Sequence, residues 1–395
     1  MRVLAWPGSA YKQQPYIFQL YTHLETQGVE VTSFQPRRLY QGSFDVWHMH
    51  WPENRLMDPN PLWAGAMASR LIGEMLVAKA RGIKIIWTAH NLAQHEKRHL
   101  HMEPWFWQAF TRLIDGWIAL SPSGKELAEA KFPALINKPS FLIPHGHYRG
   151  HYRDDLSREE ARRRLEIPSS AKVISSVGHI RAYKNVPHLV RTFRQVRGED
   201  LVLLIAGRVK DAWIRDEIHA AAGDDPRIRL RLEFIPDDDI SLYMRASDLV
   251  ALPYTDILNS SSALLALTFD VPVLVPTHGA MEDLQRYAGA SWVRTFRDDL
   301  SSEDLAQAVA WSTQPRQALT LSDLNWDRLA EQTLRAYQVV HHGVPTPTRV
   351  SEPVRLPGAR GVRRGTPSNP SRLSRNLPDK QISRGARKDL QEPRP

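Results

Sequence analysis

The chain has 395 residues, of which 42% are hydrophobic, and this length suits two domains better than one. It contains no cysteine, which excludes disulfides, thiolate catalysis and cysteine metal sites, and which fits a reducing cytoplasm. The net charge of +9 is concentrated at one end, because residues 344–395 contain 12 Lys/Arg and 4 Asp/Glu. The remainder is close to neutral, so the charge does not indicate a folded nucleic-acid binder.

The sequence shows no secretory leader and no membrane span. The N-terminal stretch MRVLAWPGSAYK has an apolar run of only four residues, which is too short for a leader. No segment approaches the roughly 20 apolar residues that cross a bilayer. We therefore expect a cytoplasmic protein that is either soluble or peripheral on the inner face of the cell membrane.

The first half of the chain alternates strands with helices. The clearest helix is predicted in LWAGAMASRLIGEMLVAKARG, where Gly82 lies at the expected end. The predicted strands are RVLAW, VEVTSF, FDVWHMH, IKIIWTAH, GWIAL and SFLIPHG. This alternation predicts a Rossmann-like domain over residues 1–150.

The second half repeats the same rhythm over residues 151–320. Its apolar, β-branched strands are typical of a parallel sheet buried on both faces. A C-terminal helix is predicted over residues 321–342, and residues 343–395, rich in Pro and Arg, are expected to be disordered. The predicted fold class is therefore α/β, with two Rossmann-like domains that face each other across a cleft.

Two turns of the second half are suited to binding a diphosphate. Arg181 and Lys184 come directly after the strand VISSVG, and Gly178 allows the backbone to approach a ligand closely. A solvated basic turn is the competing interpretation. Because both cations follow an apolar strand, we favour phosphate binding at the carboxyl edge of the sheet.

The second turn is the serine run that follows the strand LVALPY. Ser260, Ser261 and Ser262 lie where a helix begins, and free backbone N–H groups at that point favour an anion. Ser260 or Asn259 would cap the helix, and a plain cap is the alternative interpretation. Two further candidate ligand contacts precede the run, namely Tyr254 and Asp256.

Two histidines and a carboxylate follow the strand FDVW. His48 and His50 share one face of the strand, and Glu53 lies in the loop beyond. Two histidines at this spacing lack a third ligand, so a metal site is disfavoured. We predict instead that His50 or Glu53 acts on a substrate hydroxyl, with structurally satisfied polar groups as the alternative.

Further polar side chains follow two other strands of the first half. After IKIIW, an imidazole or a carboxylate could take a proton from a hydroxyl, and an amide could bind a sugar. A last histidine follows the strand SFLIP. The candidate site residues are His90, Asn91, His95, Glu96 and His145.

An aromatic cluster lies in PWFWQAFTRLIDGW. Aromatic residues at helical spacing usually belong to a core, and this is the first interpretation. The alternative is that this helix rests at a membrane interface, beside an acceptor carried by a lipid.

At this point the chain resembles the GT-B glycosyltransferases, in particular their family-4-like branch. The resemblance is carried by VGHIRAYKN, LLIAG, YMRASDLVALPY and SSSALLALTFDVPVLVP, and in the first half by FDVWHMHWPE and IKIIWTAHNL. It covers about residues 1–340. At a finer level the chain is similar to bacterial exopolysaccharide β-mannosyltransferases of the xanthan type.

The resemblance implies transfer of a hexose, above all mannose from GDP-mannose, to a saccharide acceptor such as a lipid-linked exopolysaccharide intermediate. Arg181 and Lys184 would hold the donor diphosphate, with help from the serine turn. His90 would contact the donor sugar, and the acceptor would enter along the first domain. No DxD-type carboxylate pair follows a strand in a suitable place, so we expect Arg181 and Lys184 instead of a metal ion to neutralise the diphosphate, and we expect no cofactor.

Two departures from the family pattern bear on the mechanism. Family-4 enzymes usually carry two glutamates separated by seven residues before the PV strand, and here those positions are Ile257 and Leu265. Asp256 is only a neighbour of the first. The first loop, PGSAYKQQPY, also lacks the usual paired glycines. Both departures weaken a retaining mechanism and favour a divergent family, and the choice between inversion and retention stays open. An inverting mechanism would require a base, for which Glu53 and His50 are the candidates.

Two other functions remain open from the sequence. A nucleotide-sugar 2-epimerase on the same fold would act without any acceptor. A nucleic-acid or scaffold binder would work through the basic residues 345–395 and would lose function on their removal.

Overall fold

Two parallel six-stranded sheets form the part of the chain that the computed structural model describes, namely residues 1–8, 14–94 and 98–343. The described residues belong to one compact unit. The prediction of disorder for residues 343–395 falls, apart from Gly343, outside the described residues. Each sheet carries two apolar clusters, because alternate side chains of its strands point to opposite faces.

The first sheet has the strand order β2-β1-β3-β4-β5-β6, and neighbouring strands pair in parallel. This confirms the prediction of a Rossmann-like first half. Its strands are β1 (Arg2–Trp6), β2 (Glu30–Ser33), β3 (Val46–Met49), β4 (Lys84–Ala89), β5 (Gly116–Ala119) and β6 (Ser140–Leu142).

The second sheet has the order β12-β11-β10-β7-β8-β9, also parallel throughout. The chain order reverses between β10 and β7, and ligands of doubly wound sheets bind at such a point. The strands are β7 (Lys172–Val177), β8 (Leu201–Ala206), β9 (Ile228–Arg231), β10 (Leu249–Ala251), β11 (Val273–Pro276) and β12 (Val293–Phe296).

Helices connect the strands and cover both sheets. In the first half they are α1 (Pro15–Thr26), α2 (Pro36–Gln41), α3 (Pro61–Ala80), α4 (Glu103–Leu113) and α5 (Pro122–Lys131). In the second half they are α6 (Arg158–Arg164), α7 (Val186–Gln195), α8 (Ala212–Ala222), α9 (Ile240–Ala246), α10 (Ser261–Thr268), α11 (Ala280–Ala288), α12 (Ser302–Ser312) and α13 (Trp326–His342).

The helix α3 illustrates how local sequence sets the boundaries. It begins after Asn60, whose side-chain oxygen accepts hydrogen bonds from the backbone N–H groups of Leu62 and Trp63. It ends before Gly82, which adopts a positive φ of 75°. The prediction that Gly82 ends this helix is confirmed.

The aromatic cluster of the first half divides between core and surface. Phe106, Trp107 and Phe110 of α4 are buried, and Trp107 stacks on Phe132 with 4.9 Å between ring centroids. Trp105 differs, because 47% of it is exposed. The core interpretation therefore holds for most of the cluster.

The last helix, α13, packs against the first half of the chain. Its Leu329, Ala330 and Tyr337 share an apolar cluster with Val3 of β1 and Ile17 of α1. The sequence predicted this helix but not its partner. The helices of the described residues include none long and apolar enough to span a membrane.

Candidate functional site

A cleft of about 1190 Å³ lies at the carboxyl ends of both sheets. On one side it is lined by residues that follow β1, β3 and β4, and on the other by residues that follow β7, β8 and β9. Ligands of parallel α/β sheets bind at these ends. The topology therefore brings the candidate residues of both halves to one place.

Gly178, Lys184 and Ser262 meet at the end of β7. Lys184 Nζ lies 3.4 Å from Ser262 Oγ, and both atoms are 3.9 Å from the position that a Cβ at Gly178 would occupy. Gly178 has φ of 111°, a conformation that favours glycine. A side chain at Gly207 would collide with the carbonyl of Gly178, so two glycines keep this corner open.

Three cations surround this corner. Arg181, Lys184 and Arg208 all line the cleft. Burial and these three positive charges together lower the pKa of His179, which places them near one another. Burial also lowers the pKa of Lys184, because its ammonium has little water to solvate it. An anion bound here would be attracted by all three positive charges.

The serine turn provides both a helix cap and ligand-facing hydroxyls. Ser260 caps α10, since its Oγ accepts a hydrogen bond of 3.1 Å from the backbone N–H of Ala263. Ser261 and Ser262 line the cleft, whereas Ser260 does not. A direct contact of Ser260 with the donor stays a prediction, because its side chain serves the cap and lies outside the cleft lining. The alternative cap, Asn259, instead donates to the His90 carbonyl.

Tyr254 and Asp256 also fall outside the cleft lining. Tyr254 is buried with its ring 5.7 Å from Lys184 Nζ, so it packs behind that ammonium. Asp256 is exposed to solvent. Direct ligand contacts by these two residues, as predicted from the sequence, do not fit this placement.

Among the described residues of the first half, Glu53 is the carboxylate that lines the cleft. It is only 3% exposed, and its Oε1 accepts a hydrogen bond of 2.9 Å from Asn91 Nδ2. No hydrogen-bond partner for its buried Oε2 exists among the described residues. Burial raises the pKa of Glu53 to about 7, against the lowering effect of Asn91. A carboxylate so placed can accept a proton near neutral pH.

His90 lines the cleft, whereas His50 lies behind it. His50 is fully buried, and its Nδ1 is 3.0 Å from Nε2 of His90. The prediction that His50 removes a proton from substrate therefore needs correction, because His90 separates it from the cleft. Burial lowers the pKa of both imidazoles well below the usual range, so both are neutral at physiological pH.

Tyr16 joins the imidazoles into one aromatic cluster. Its ring centroid lies 4.8 Å from those of His90 and His145, with both contacts edge-on. His145 lines the cleft, and burial lowers its pKa to about 4. The remaining candidates, His95 and Glu96, lie outside the described residues.

Apolar side chains occupy the positions of the two family glutamates. Ile257 and Leu265 line the cleft and are each 8% exposed. No carboxylate therefore faces the donor side of the cleft at these points. Within residues 1–8, 14–94 and 98–343 there is also no group of three or more His, Asp or Glu arranged to hold a metal ion.

Several lining residues were not found from the sequence. One is Arg208, which follows β8 as Arg181 follows β7. The others are Trp6, Trp51, Arg55, Phe234 and Asp237. Arg208 could have been found, since it comes directly after the apolar strand LVLLIAG, as Arg181 comes shortly after VISSVG. The others depend on the packing of distant segments.

Two Rossmann-like sheets whose carboxyl ends enclose a cleft form the GT-B fold, the architecture of the GT-B glycosyltransferases. The family "Glycosyl transferases group 1" matches residues 157–312. A GDP-mannose:glycolipid 4-β-D-mannosyltransferase from Xanthomonas campestris pv. campestris is 31% identical over 335 residues, which cover 82% of this chain and 87% of the relative. The chain belongs to the group 1 glycosyltransferases, and it is a glycosyltransferase.

Solved structures agree on the fold. HepE from Anabaena, in complex with UDP-glucose, has a TM-score of 0.58 at 16% identity, covering 87% of this chain and 99% of HepE. Sucrose-phosphate synthase from Thermosynechococcus elongatus has a TM-score of 0.57 at 14% identity, covering 86% of this chain and 94% of the synthase. At these identities the likeness establishes the fold alone, and the predicted GT-B architecture is confirmed.

Proposed function

We propose that this protein transfers mannose from GDP-mannose to a glycolipid acceptor. The observation that carries the proposal is the 31% identity, over 82% of the chain, to a relative described as a GDP-mannose:glycolipid 4-β-D-mannosyltransferase. The acceptor is a lipid-linked intermediate of an exopolysaccharide, at the cytoplasmic face of the membrane. The second half holds the donor, and the first half holds the acceptor.

The donor diphosphate binds at the cationic corner. Arg181, Lys184 and Arg208 neutralise its charge, and the hydroxyls of Ser261 and Ser262 donate hydrogen bonds to its oxygens at the start of α10. The dipole of α10 favours the same anion. This arrangement stabilises the negative charge that develops on the leaving GDP.

Glu53 is the base that accepts the acceptor proton. The acceptor hydroxyl gives its proton to the carboxylate, its oxygen bonds to the anomeric carbon, and the bond from that carbon to the diphosphate breaks. Asn91 orients the carboxylate through Oε1, which leaves Oε2 to take the proton. Exclusion of water from Glu53 raises its pKa to about 7, which makes it a stronger base than an exposed glutamate.

The reaction inverts the anomeric centre. GDP-mannose carries an α-linked sugar, and the relative is named as a 4-β-D-mannosyltransferase, which forms a β-linked product. Ile257 and Leu265 support inversion, because these apolar residues stand at the two positions where family-4 enzymes carry glutamates. A single displacement with one base needs no second carboxylate on the donor side.

An exposed apolar patch supports contact with a lipid surface. Leu62 and Trp63 of α3 are 84% and 56% exposed, and Leu100 and Trp105 are 56% and 47% exposed. The two segments are adjacent, because a Cβ at Gly65 would lie 3.7 Å from the Met102 side chain. Exposed tryptophan and leucine side chains suit the interfacial zone of a bilayer.

The proposal is tested by incubating the full chain with GDP-mannose, UDP-glucose or ADP-glucose, each with and without a glycolipid acceptor. We expect GDP release that depends on the acceptor, and mannose in the lipid fraction. Equal release without acceptor, or an epimerised sugar nucleotide, would favour a 2-epimerase. Removal of residues 345–395 should leave transfer intact, and loss of all transfer on that deletion would favour a role through the basic residues.

A further inference from the structure

A line of hydrogen-bonded side chains connects the cleft to the last helix. His50 Nδ1 lies 3.0 Å from His90 Nε2, and His50 Nε2 lies 2.8 Å from the hydroxyl of Tyr21. The same hydroxyl is 3.2 Å from His48 Nδ1, which the hydroxyl of Tyr337 approaches more closely, at 2.7 Å. The side chains of His50, Tyr21, His48 and Tyr337 are completely buried, and His90 is 9% exposed. None of these contacts was anticipated from the sequence.

The number of protons and lone pairs along this line determines which atom donates in each hydrogen bond. Nδ1 of His48 has a single lone pair, yet two hydroxyls lie within reach of it. Because its contact is the shorter one, the Tyr337 hydroxyl donates to that lone pair. The Tyr21 hydroxyl must then donate to Nε2 of His50. His48 completes its bonding by donating from Nε2 to Thr88 Oγ1, at 2.8 Å.

The opposite arrangement of His48 leads to the same result. If its proton sits on Nδ1, that nitrogen has no lone pair to offer, and Tyr21 can again donate only to His50. His50 therefore accepts at Nε2 and carries its own proton on Nδ1. That proton is donated to Nε2 of His90, so the proton of the neutral His90 ring must lie on Nδ1.

We propose that this line holds His90 as the Nδ1–H tautomer, which presents a hydrogen-bond donor to the cleft. No other described residue hydrogen-bonds His90 Nδ1, so a ligand in the cleft can accept its proton. His50, Tyr21, His48 and Tyr337 are positioning residues, which act through His90 and touch no substrate. The C-terminal helix thereby contributes to the site through one hydroxyl.

This assignment separates the roles of two cleft residues. A neutral Nδ1–H can donate to an oxygen of the donor substrate but cannot remove a proton from the acceptor. It therefore corrects the prediction that the His90 imidazole takes a hydroxyl proton, and leaves Glu53 as the base. The consequence for turnover rests on the proposed function, whereas the tautomer itself does not.

Removing the Tyr337 hydroxyl should allow His90 to adopt its other tautomer. In Tyr337→Phe the lone pair of His48 Nδ1 becomes free to accept from Tyr21. His50 can then donate from Nε2 to Tyr21 and accept at Nδ1, so that His90 carries its proton on Nε2. The variant should therefore populate a second His90 tautomer in which Nδ1 is an acceptor.

The test is nitrogen NMR of the full chain with ¹⁵N-labelled histidine and no ligand, in which ring shifts distinguish the two tautomers. The His90 signals are assigned by their loss in His90→Gln. We expect Nδ1–H in the wild-type protein and a mixture in Tyr337→Phe. Tyr243→Phe is the control, because it removes a tyrosine hydroxyl from the buried face of α9. An Nε2–H or protonated His90 in the wild type would overturn the proposal.

Kinetics supply the functional half of the test. With GDP-mannose and acceptor, Tyr337→Phe should lower kcat by roughly 2- to 10-fold, the effect of one lost hydrogen bond, with a smaller change in KM. Wild-type tautomer in Tyr337→Phe would overturn the role given to Tyr337. A tautomer change without any rate change would show that the line of hydrogen bonds sets the tautomer of His90, but that His90 takes no part in the reaction.

Discussion

Glu53 Oε1 accepts a hydrogen bond of 2.9 Å from the side-chain amide of Asn91, and this contact leaves the buried Oε2 without a partner among the described residues. One oxygen is thus used to orient the carboxylate, and the other is available to a substrate. The pair lies at the carboxyl ends of β3 and β4, opposite the cationic corner of the second sheet.

The first prediction concerns the base. Glu53→Gln keeps the size of the side chain and its contact with Asn91 but cannot accept a proton, so we expect transfer to fall by about 100-fold or more. Binding of GDP, measured by calorimetry, should change little. Residual transfer within a few-fold of wild type would exclude Glu53 as the base.

The pH dependence of the wild-type enzyme should report the same group. Because the base works in its ionised form and burial raises its pKa to about 7, kcat/KM should rise with pH through a midpoint near 7. The profile of Asn91→Ala should move to higher pH, since the hydrogen bond from Asn91 lowers the pKa of Glu53. A flat profile between pH 5 and 9 would contradict the assignment.

Stability should show the opposite trend with pH. The native pKa of Glu53, about 7, exceeds the ordinary value of 4.5, so the native state binds the proton more tightly than the unfolded state. The stabilisation of the native state by protonated Glu53 is full below pH 4.5, and it is lost as the pH rises through about 7. Glu53→Gln should therefore raise the free energy of unfolding by about 2–3 kcal/mol at pH 8, and by much less at pH 5. Denaturant titrations at both pH values measure this.

Lys184 should matter for donor binding and not for folding. In Lys184→Met the apolar stem remains but the charge is lost, so the affinity for GDP should fall by roughly 10- to 100-fold. The unliganded Tm should not fall, because the variant no longer buries a cation. Lys172→Met, at a half-exposed lysine paired with Asp200, is the matched control. Wild-type affinity in Lys184→Met would place the diphosphate elsewhere.

The apolar patch predicts a difference between two kinds of acceptor. Replacing Leu62 and Trp63 with serine should reduce binding to vesicles and transfer to a bilayer-embedded acceptor by several-fold. Transfer to a short-chain, water-soluble acceptor should remain unchanged. Trp213→Ser, at a tryptophan of α8 that is 54% exposed, is the control. Equal loss with both acceptors would point to damage of the cleft instead of the surface.

Much of the fold and some of the cleft lining could be predicted from the sequence, because they depend on local patterns. Apolar strands gave both sheets, and Arg181, Lys184, Ser261 and Ser262 were found because each follows a strand or begins a helix. The burial of His50 could not be predicted, since its shielding by His90 and Tyr21 depends on which strands and helices become neighbours. The same holds for Tyr337, which lies 289 residues from its partner His48.

The anomeric configuration of the product tests the central claim most directly. The full chain is incubated with GDP-[1-¹³C]mannose and a glycolipid acceptor, and the coupling between the labelled carbon and its proton is measured by NMR. We predict a β-mannoside that forms only when acceptor is present. An α-mannoside would contradict the single displacement assisted by Glu53, and the absence of any mannosyl glycolipid would contradict the proposed transfer.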